Sequence, residues 1–480
     1  MTIISDVQLE RGGVTFEDHV TWNKSVTYDL SRLKININSS KPVGHICRHA
    51  GVKMSSWTSS DSSISSNSST KIAKHEVQLG KVLYSHRNAY SVLNFVGEGY
   101  FGKVALCKNV YTSETVAIKI LKHEASIKQD LDRELLMLKK ISALDPDNSN
   151  MVRFYEHFEH EGNICLVFEL LDCNLIDMME ERQRQPLSLD EVRVIGHQLL
   201  VALDSLKALG IVHTDIKPDN IMLVNRKDQP LRVKLIDFGN AISASKVKRG
   251  LDIQPVGYRA PEITLGLTYS ENIDVWSVGC ILAFLLLPGN LFGVNCEYQM
   301  IKRIVGLLGQ PDDHVLQTGK YTEQYFVEDE DVGYFHYRFM TPEEYEAANN
   351  MKPKEPNSCK LLAKPLEDLI LPPLEGESAE GELEDRKAFM DLLTSMLHVD
   401  GNQRISAAEA LQHPFITMTH LADPAGRSLL TPKDVLSEEE QISPPNPKGA
   451  NGSNKSILKR IRKFFRRMTS SFYRRPMLMD

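Results

Sequence analysis

The sequence predicts an α+β fold in two unequal lobes, a small strand-rich lobe followed by a large helical one. Three observations predict it. Between about residues 90 and 170, short apolar runs rich in Val, Ile and Phe are broken by turn residues, as in strands. From Asp190 onward the apolar residues recur at helical spacing. The 480 residues also exceed the ~250–300 that one core organises, so two cores, or a core with tails, are expected.

Residues 1 to about 85 show no sustained periodicity, and Ser55–Thr70 is almost pure Ser/Thr. Such a tract cannot bury enough apolar surface to offset ordering entropy, so 1–85 reads as a disordered Ser-rich region. Tyr90–Val96 and Lys103–Cys107 read as strands flanking a glycine turn, with Thr115–Leu121 a third and Asn163–Phe168 another. Leu131–Leu138 reads as a helix with Leu131, Leu135 and Leu138 on one face. Further helices are expected at roughly 190–209, 270–287, 296–309, 386–397 and 406–412. The acid-rich segment from Gly293 to about Lys387 carries the weakest pattern. Residues 417–452 read as a linker. In 453–480, Ile457, Leu458, Ile461, Phe464, Phe465, Met468 and Phe472 recur at helical spacing among Lys and Arg, a basic amphipathic tail.

Composition narrows the class. Seven scattered cysteines without CxxC spacing point to reduced thiols in the nucleus or cytoplasm, and against a disulfide framework or a zinc site. No N-terminal apolar run resembles a secretory signal. The longest apolar stretch, Val275–Leu287, is too short for a transmembrane segment and reads as a buried helix. The net charge of −7 is unevenly spread: residues 451–480 hold nine Lys/Arg and one acid, so the rest is strongly acidic.

The chemistry concentrates in Ile211-Val-His-Thr-Asp-Ile-Lys-Pro-Asp-Asn-Ile221 and Leu235-Ile-Asp-Phe-Gly239. Phosphoryl transfer from a nucleotide needs a carboxylate to orient the attacking hydroxyl, metal ligands, and a cation near the moving phosphate. Asp215 supplies the first, Lys217 the cation, and Asn220 and Asp237 suit Mg2+, which takes few protein oxygens and completes its shell with phosphate and water. Gly97-Glu-Gly-Tyr-Phe-Gly102 fits GxGxxG, but a strand follows rather than a helix, so a hairpin lid over phosphates fits better than a dinucleotide fold. Lys119 sits in the apolar strand Val116-Ala-Ile-Lys119, where burial demands a partner. Glu134, fifteen positions on, is the natural one. Glu262–Arg404 is expected to be a buried ion pair, Asp274 a brace for the backbone around Asp215, and His213 a packing residue rather than a base.

Together these motifs, with Ala260-Pro-Glu262 and Asp274-Val-Trp276, resemble a eukaryotic protein kinase over about residues 90–416. The Asp-Ile-Lys-Pro-Asp-Asn wording is similar to serine/threonine kinases. Cys165-Leu-Val-Phe-Glu-Leu-Leu171, His213–Val224, Thr341-Pro-Glu-Glu-Tyr-Glu-Ala347 and His413–Leu421 resemble the homeodomain-interacting protein kinases. The resemblance implies a bilobal kinase fold, with lobes at about 90–170 and 171–416. It implies ATP- and Mg2+-dependent phosphorylation of Ser/Thr on protein substrates, with Tyr modified by autophosphorylation at most, in nuclear signalling or transcription control. It places ATP against Gly97, Glu98, Gly99, Tyr100, Phe101, Gly102, Val104, Ala117 and Lys119, and against the backbone of Glu169 and Leu171, with Phe168 as gatekeeper. Lys119 paired to Glu134, Asp215 and Lys217 are the implied catalytic set, and Asn220 and Asp237 the metal ligands. A preference for Ser/Thr-Pro sites and transcription-regulator partners follow only from the resemblance. These residues show no sign of the family's long partner-binding extension, so homeodomain binding is not expected from them.

One departure stands out. The family's activating tyrosine aligns with Asp252, and the Ser-Arg-Tyr ahead of Tyr-Arg-Ala-Pro-Glu is Pro255-Val-Gly257 here. Asp252 offers a permanent charge in place of the phosphate, though the arginine expected to receive it has become Val256. The basic tail suits an import receptor, an acidic protein or an anionic membrane, and equally the acidic body of the chain itself. The competing reading is a pseudokinase scaffold that binds partners without catalysis; keeping Lys119, Asp215, Asn220 and Asp237 argues against it.

Overall fold

The computed structural model describes residues 76–98, 102–121, 128–287, 289–293, 296–329, 336–354, 365–371 and 379–421. The Ser-rich stretch before residue 76, the loop tip Gly99, Tyr100 and Phe101, most of the linker and the basic tail lie outside them.

The first lobe is a six-stranded sheet, every neighbour antiparallel, in the order β1-β2-β3-β4-β6-β5. Its strands are β1 (Val82–Tyr84), β2 (Ala89–Glu98), β3 (Gly102–Asn109), β4 (Thr115–Leu121), β5 (Phe154–His160) and β6 (Asn163–Glu169). Alternation decides which side each residue faces. Val116, Ile118 and Ile120 join Leu83, Tyr90, Val92, Ala105, Cys107, Cys165 and Val167 in one core. Ala117 and Lys119 therefore share the opposite face, and the register sets Val104 beside Lys119. Helix α1 (Lys128–Ile141) lies between β4 and β5 in the chain and buries Leu131 and Leu138.

Strand β1 corrects one boundary. It falls inside the stretch expected to be disordered, yet Leu83 is fully buried and Val82–Tyr84 pairs with β2. Three residues are too few to show a period, and the sheet edge supplies the partner.

The second lobe is mainly helical. Helix α2 (Leu175–Glu181) precedes α3 (Leu189–Ala208), which starts at a capping box between Ser188 and Glu191. Short strands follow: β7 (Ile211–Val212), the hairpin β8 (Ile221–Asn225) with β9 (Gln229–Leu235), and β10 (Ile242–Ser243), which pairs with β7. Helix α4 (Pro261–Thr264) leads to α5 (Asn272–Leu286), of which every residue but Asn272 and Phe284 is buried. That matches the expectation for Val275–Leu287, and α5 is the centre of the lobe. Gly196 lets α3 approach it, since a Cβ there would lie 3.3 Å from Leu282.

After α6 (Glu297–Leu308), the acid-rich segment is more regular than its sequence suggests. Strands Phe326–Asp329 and His336–Phe339 pair, and a helix over Pro342–Asn349 starts at a capping box of Thr341 and Glu344. Tyr298, Tyr325, Phe326, Phe339 and Tyr345 pack together as its aromatic centre. The helix expected at 386–397 begins earlier, at Ala379. Its acid-rich first turns are poor in apolar residues, and an Arg386–Glu382 pair supports them.

Candidate active site

Four pieces of backbone bring the expected residues together. Gly97 pairs with Val104 and Glu98 with Lys103, so β2 and β3 run up to the glycine loop as a hairpin. Gly102 has φ +153 and an added Cβ would lie 1.9 Å from the Ile120 carbonyl oxygen, so only glycine fits against β4.

Lys119 on β4 and Glu134 on α1 meet at 2.6 Å, and the same ammonium is 3.6 Å from Asp237 Oδ1. Burial opposes the charge on Lys119, but Glu134 and Asp237 outweigh it and hold its pKa well above the usual lysine value. Burial likewise opposes ionisation of Asp237, but attraction to Lys119 and Lys217 keeps its carboxyl below the usual range. Asp237 has φ 63, a strained region for a residue other than glycine, and Gly239 N donates to its Oδ1 at 3.4 Å.

The β8–β9 hairpin aligns the other acid-bearing loop with Asp237. Ile221 pairs with Leu235, and Ile236 N donates to Asn220 O at 3.0 Å, so the backbones at Asn220 and Asp237 run side by side. Lys217 Nζ lies 3.0 Å from both Asp215 oxygens. Although burial disfavours its charge, Asp215 raises the pKa of Lys217. Asn220 donates through Nδ2 to Asp215 O at 2.8 Å and to Asp215 Oδ2 at 3.1 Å. Its other amide atom, Oδ1, is buried and has no hydrogen-bond partner. An orphaned buried acceptor is costly unless something electropositive arrives, so its chemistry fits an oxygen-seeking cation.

The loop is braced from behind as expected. Asp274, at the start of α5, accepts from His213 N at 2.6 Å and Thr214 N at 3.0 Å. Burial pushes its carboxyl up to about 7, against the pull of those two donors. His213 is buried; its Nε2 contacts Ile236 O at 3.1 Å and its Nδ1 accepts from Asp215 N at 3.2 Å. Burial also pushes its pKa down, so the neutral ring is the form that fits both contacts. Glu262 and Arg404 form the buried bidentate pair at 2.5 and 2.9 Å.

At the rear, Phe168 is the last residue but one of β6, with its ring 5.4 Å from that of Phe154. Leu171 is buried, and Glu169 N donates to Arg153 O at 3.0 Å. Val104, Ala117 and Lys119 share the face set by the β4 register.

Three contributors escaped sequence reasoning. Asn240 donates through Nδ2 to Asp215 Oδ2 at 3.2 Å, and its carbonyl accepts from Thr214 Oγ1 at 2.8 Å. Thr214 has φ 64, unusual for a β-branched residue, and that hydrogen bond fastens it. Arg259 receives Asp252, Nη2 to Oδ1 at 2.6 Å, so the missing arginine at 256 is replaced by one in Tyr258-Arg259-Ala260. Arg259 also holds Glu297 and donates to the carbonyl of Gln254, whose φ is 66. Lys234, buried within β9, carried the same signal as Lys119, a lysine between apolar residues of a strand.

A protein kinase domain model matches residues 90–416. Homeodomain-interacting protein kinase 2 of Mesocricetus auratus is 42% identical over 357 residues, which cover 74% of this chain and 30% of the relative. Homeodomain-interacting protein kinase 1 of Caenorhabditis elegans is 37% identical over 375 residues, 76% of this chain and 44% of the relative. Homeodomain-interacting protein kinase 4 of Mus musculus is 35% identical over 353 residues, 71% and 57% respectively. The chain thus spans less than two thirds of each of these relatives. None of the helices among the described residues is long and apolar enough to cross a membrane. With the family model matched across both lobes, the chain belongs to the protein kinase family.

Proposed function

We propose that the protein is an active serine/threonine kinase that transfers the γ-phosphoryl group of ATP to protein substrates with Mg2+. One observation carries the reading: Lys119, Glu134 and Asp237 form one ion cluster, Asp215 pairs with Lys217 and accepts from Asn220, and the β8–β9 pairing sets the backbones of Asn220 and Asp237 side by side. A scaffold that only binds partners has no chemical use for both.

Glu134 holds the Lys119 ammonium where it meets the α/β phosphates. Asp237 and the orphaned Asn220 Oδ1 would hold Mg2+, which would supply charge neutralisation on the phosphates. Asp215 orients the substrate hydroxyl and accepts its proton, and Lys217 offsets charge on the transferring group. Asn240 and His213 keep Asp215 aimed. Glu169 N is already bonded to Arg153, so the Glu169 carbonyl and the Leu171 backbone serve adenine, with Val104 and Ala117 on the ring. Gly97 and Gly102, where β2 and β3 lead into and out of the glycine loop, border the phosphates.

Asp252 makes this activity independent of phosphorylation at its position. It brings about one negative charge where a phosphate brings ~1.5–2, but the charge is permanent and meets Arg259. Nuclear signalling, transcription-regulator partners and a Ser/Thr-Pro preference are supported by the relatives' similarity alone. The test is Mg2+-dependent phosphate incorporation into a generic basic protein, followed by phosphoamino-acid analysis. Phosphoserine and phosphothreonine that vanish with Asp237→Asn support the reading; incorporation indifferent to that change refutes it.

A further inference from the structure

Lys234 is as buried as the core leucines, at 1% exposure, yet it is charged and outside the catalytic set. It sits on β9, three residues before Asp237. Its ammonium contacts Glu169 Oε1 at 2.7 Å and Asp147 Oδ1 at 2.7 Å. The two carboxylates differ. Asp147 is more than half exposed and also held by Arg153 at 2.7 Å. Glu169 is only 15% exposed, and its other donor is the Arg153 backbone N–H at 2.6 Å, on the same Oε1. Lys234 is therefore the only cation paired with the Glu169 carboxylate among the described residues.

The backbone makes that pairing consequential. Residues 150–153 lie between two elements: Leu235 N donates to Asn150 O at 2.9 Å, Val152 N to Leu235 O at 3.0 Å, and Glu169 N to Arg153 O at 3.0 Å. One side of this strip is the strand that delivers Asp237. The other is the end of β6, where the adenine-contacting backbone begins. The ammonium spans both sides directly, joining positions 65 residues apart in sequence.

We infer that Lys234 is a positioning residue for nucleotide binding. It fixes the hinge at Glu169 against the strand that leads to Asp237, so that adenine and phosphates are gripped at one spacing. The inference rests on the proposed ATP site and adds a determinant of affinity to it. Without Lys234, the half-buried Glu169 carboxylate keeps only the Arg153 N–H as donor among the described residues. A half-buried charge in that state turns further toward water and takes the hinge with it.

The test uses adenosine without metal, so that phosphate and Mg2+ contacts do not mask the hinge. Calorimetric titration of the full chain should show Lys234→Met weakening adenosine about tenfold, with a similar rise in KM for ATP and kcat within about threefold. Lys234→Arg keeps the cation and should stay within about threefold of wild type. Lys234→Met combined with Glu169→Gln removes both charges and should recover most of the loss. A merely structural anchor would lower Tm and leave adenosine affinity unchanged, and that result overturns the inference. If Lys234→Met does not fold, Glu169→Gln alone carries the same affinity prediction. A wild type that binds adenosine without turning over ATP would count against the kinase reading alone, because adenosine affinity still decides the role of Lys234.

Discussion

Lys119 and Glu134 meet at 2.6 Å across the gap between a strand and a helix that share no backbone pairing. Beside the apolar packing of Leu131, Met137 and Leu138, this ion pair ties the helix to the Lys119 face of the sheet. Asp237, 3.6 Å from the same ammonium, competes for it. Replacing Glu134 with Gln leaves Lys119 to Asp237, which in the proposed mechanism draws the cation away from the phosphates. We expect kcat/KM for ATP to fall on the order of a hundredfold, the scale of losing one preorganised donor at a site of developing charge. Steady-state kinetics check this; an unchanged value would mean the pair is only structural.

Asp274 should matter for stability and catalysis together. Asp274→Ala strands the N–H groups of His213 and Thr214, both buried. Each unsatisfied donor costs roughly 1–3 kcal/mol. Denaturant unfolding should show a loss in that range or above, and kcat should drop further than the folded fraction explains.

The pH dependence follows from His213. Its depressed pKa means that above the ordinary value of ~6.5 the ring is neutral in folded and unfolded chains alike. Below that, the unfolded chain takes up a proton that the folded one resists, so stability falls as pH falls, by at most ~1.4 kcal/mol per unit. Protonation would also place a hydrogen on Nδ1, where Asp215 N now donates. Activity should fall over the same acid range, and His213→Phe should flatten the stability slope measured by urea titration.

How much was legible in the sequence depends on the range of the interaction. Lys119, Asp215, Asn220 and Asp237 could be read because chemistry forces their residue types and spacing. The Glu262–Arg404 pair was readable because few positions tolerate such charges in apolar surroundings. Asn240 was missed because an amide after Phe-Gly has many bland uses. Arg259 as the receiver of Asp252 was missed because the chain turns back through Gln254 at φ 66, a bend no local pattern announces. Strand β1 and the hairpin at 326–339 were too short to display a period, and their partners supply their order. The loop tip, the Ser-rich region and the basic tail lie outside the described residues.

Arg404 and Glu262 offer a test of the lower lobe. They are 0% and 3% exposed, and Arg404 lies 5.1 Å from the Trp276 ring centroid. Arg404→Met should cost about 3–5 kcal/mol by stranding the carboxylate, whereas Arg404→Met with Glu262→Leu should recover much of it. Thermal unfolding of the two variants distinguishes a lost charge partner from lost packing.

Asp252 is 70% exposed, so its bond to the buried Arg259 contributes little to stability, about 0–1 kcal/mol. Its effect should appear in activity. Protein made without phosphorylation should be active, and Asp252→Ala should lower kcat/KM about threefold as Arg259 keeps only Glu297 and the Gln254 carbonyl. An Asp252→Ala rate equal to wild type would remove the built-in charge from the account.

The most direct measurement is phosphoryl transfer by wild type against Asp215→Asn, with ATP binding followed in the same preparations. The account predicts that Asn preserves nucleotide affinity and lowers kcat by about 10²–10⁴-fold, the usual contribution of a positioned base. Equal turnover by both proteins, or none by wild type with nucleotide bound, would contradict it.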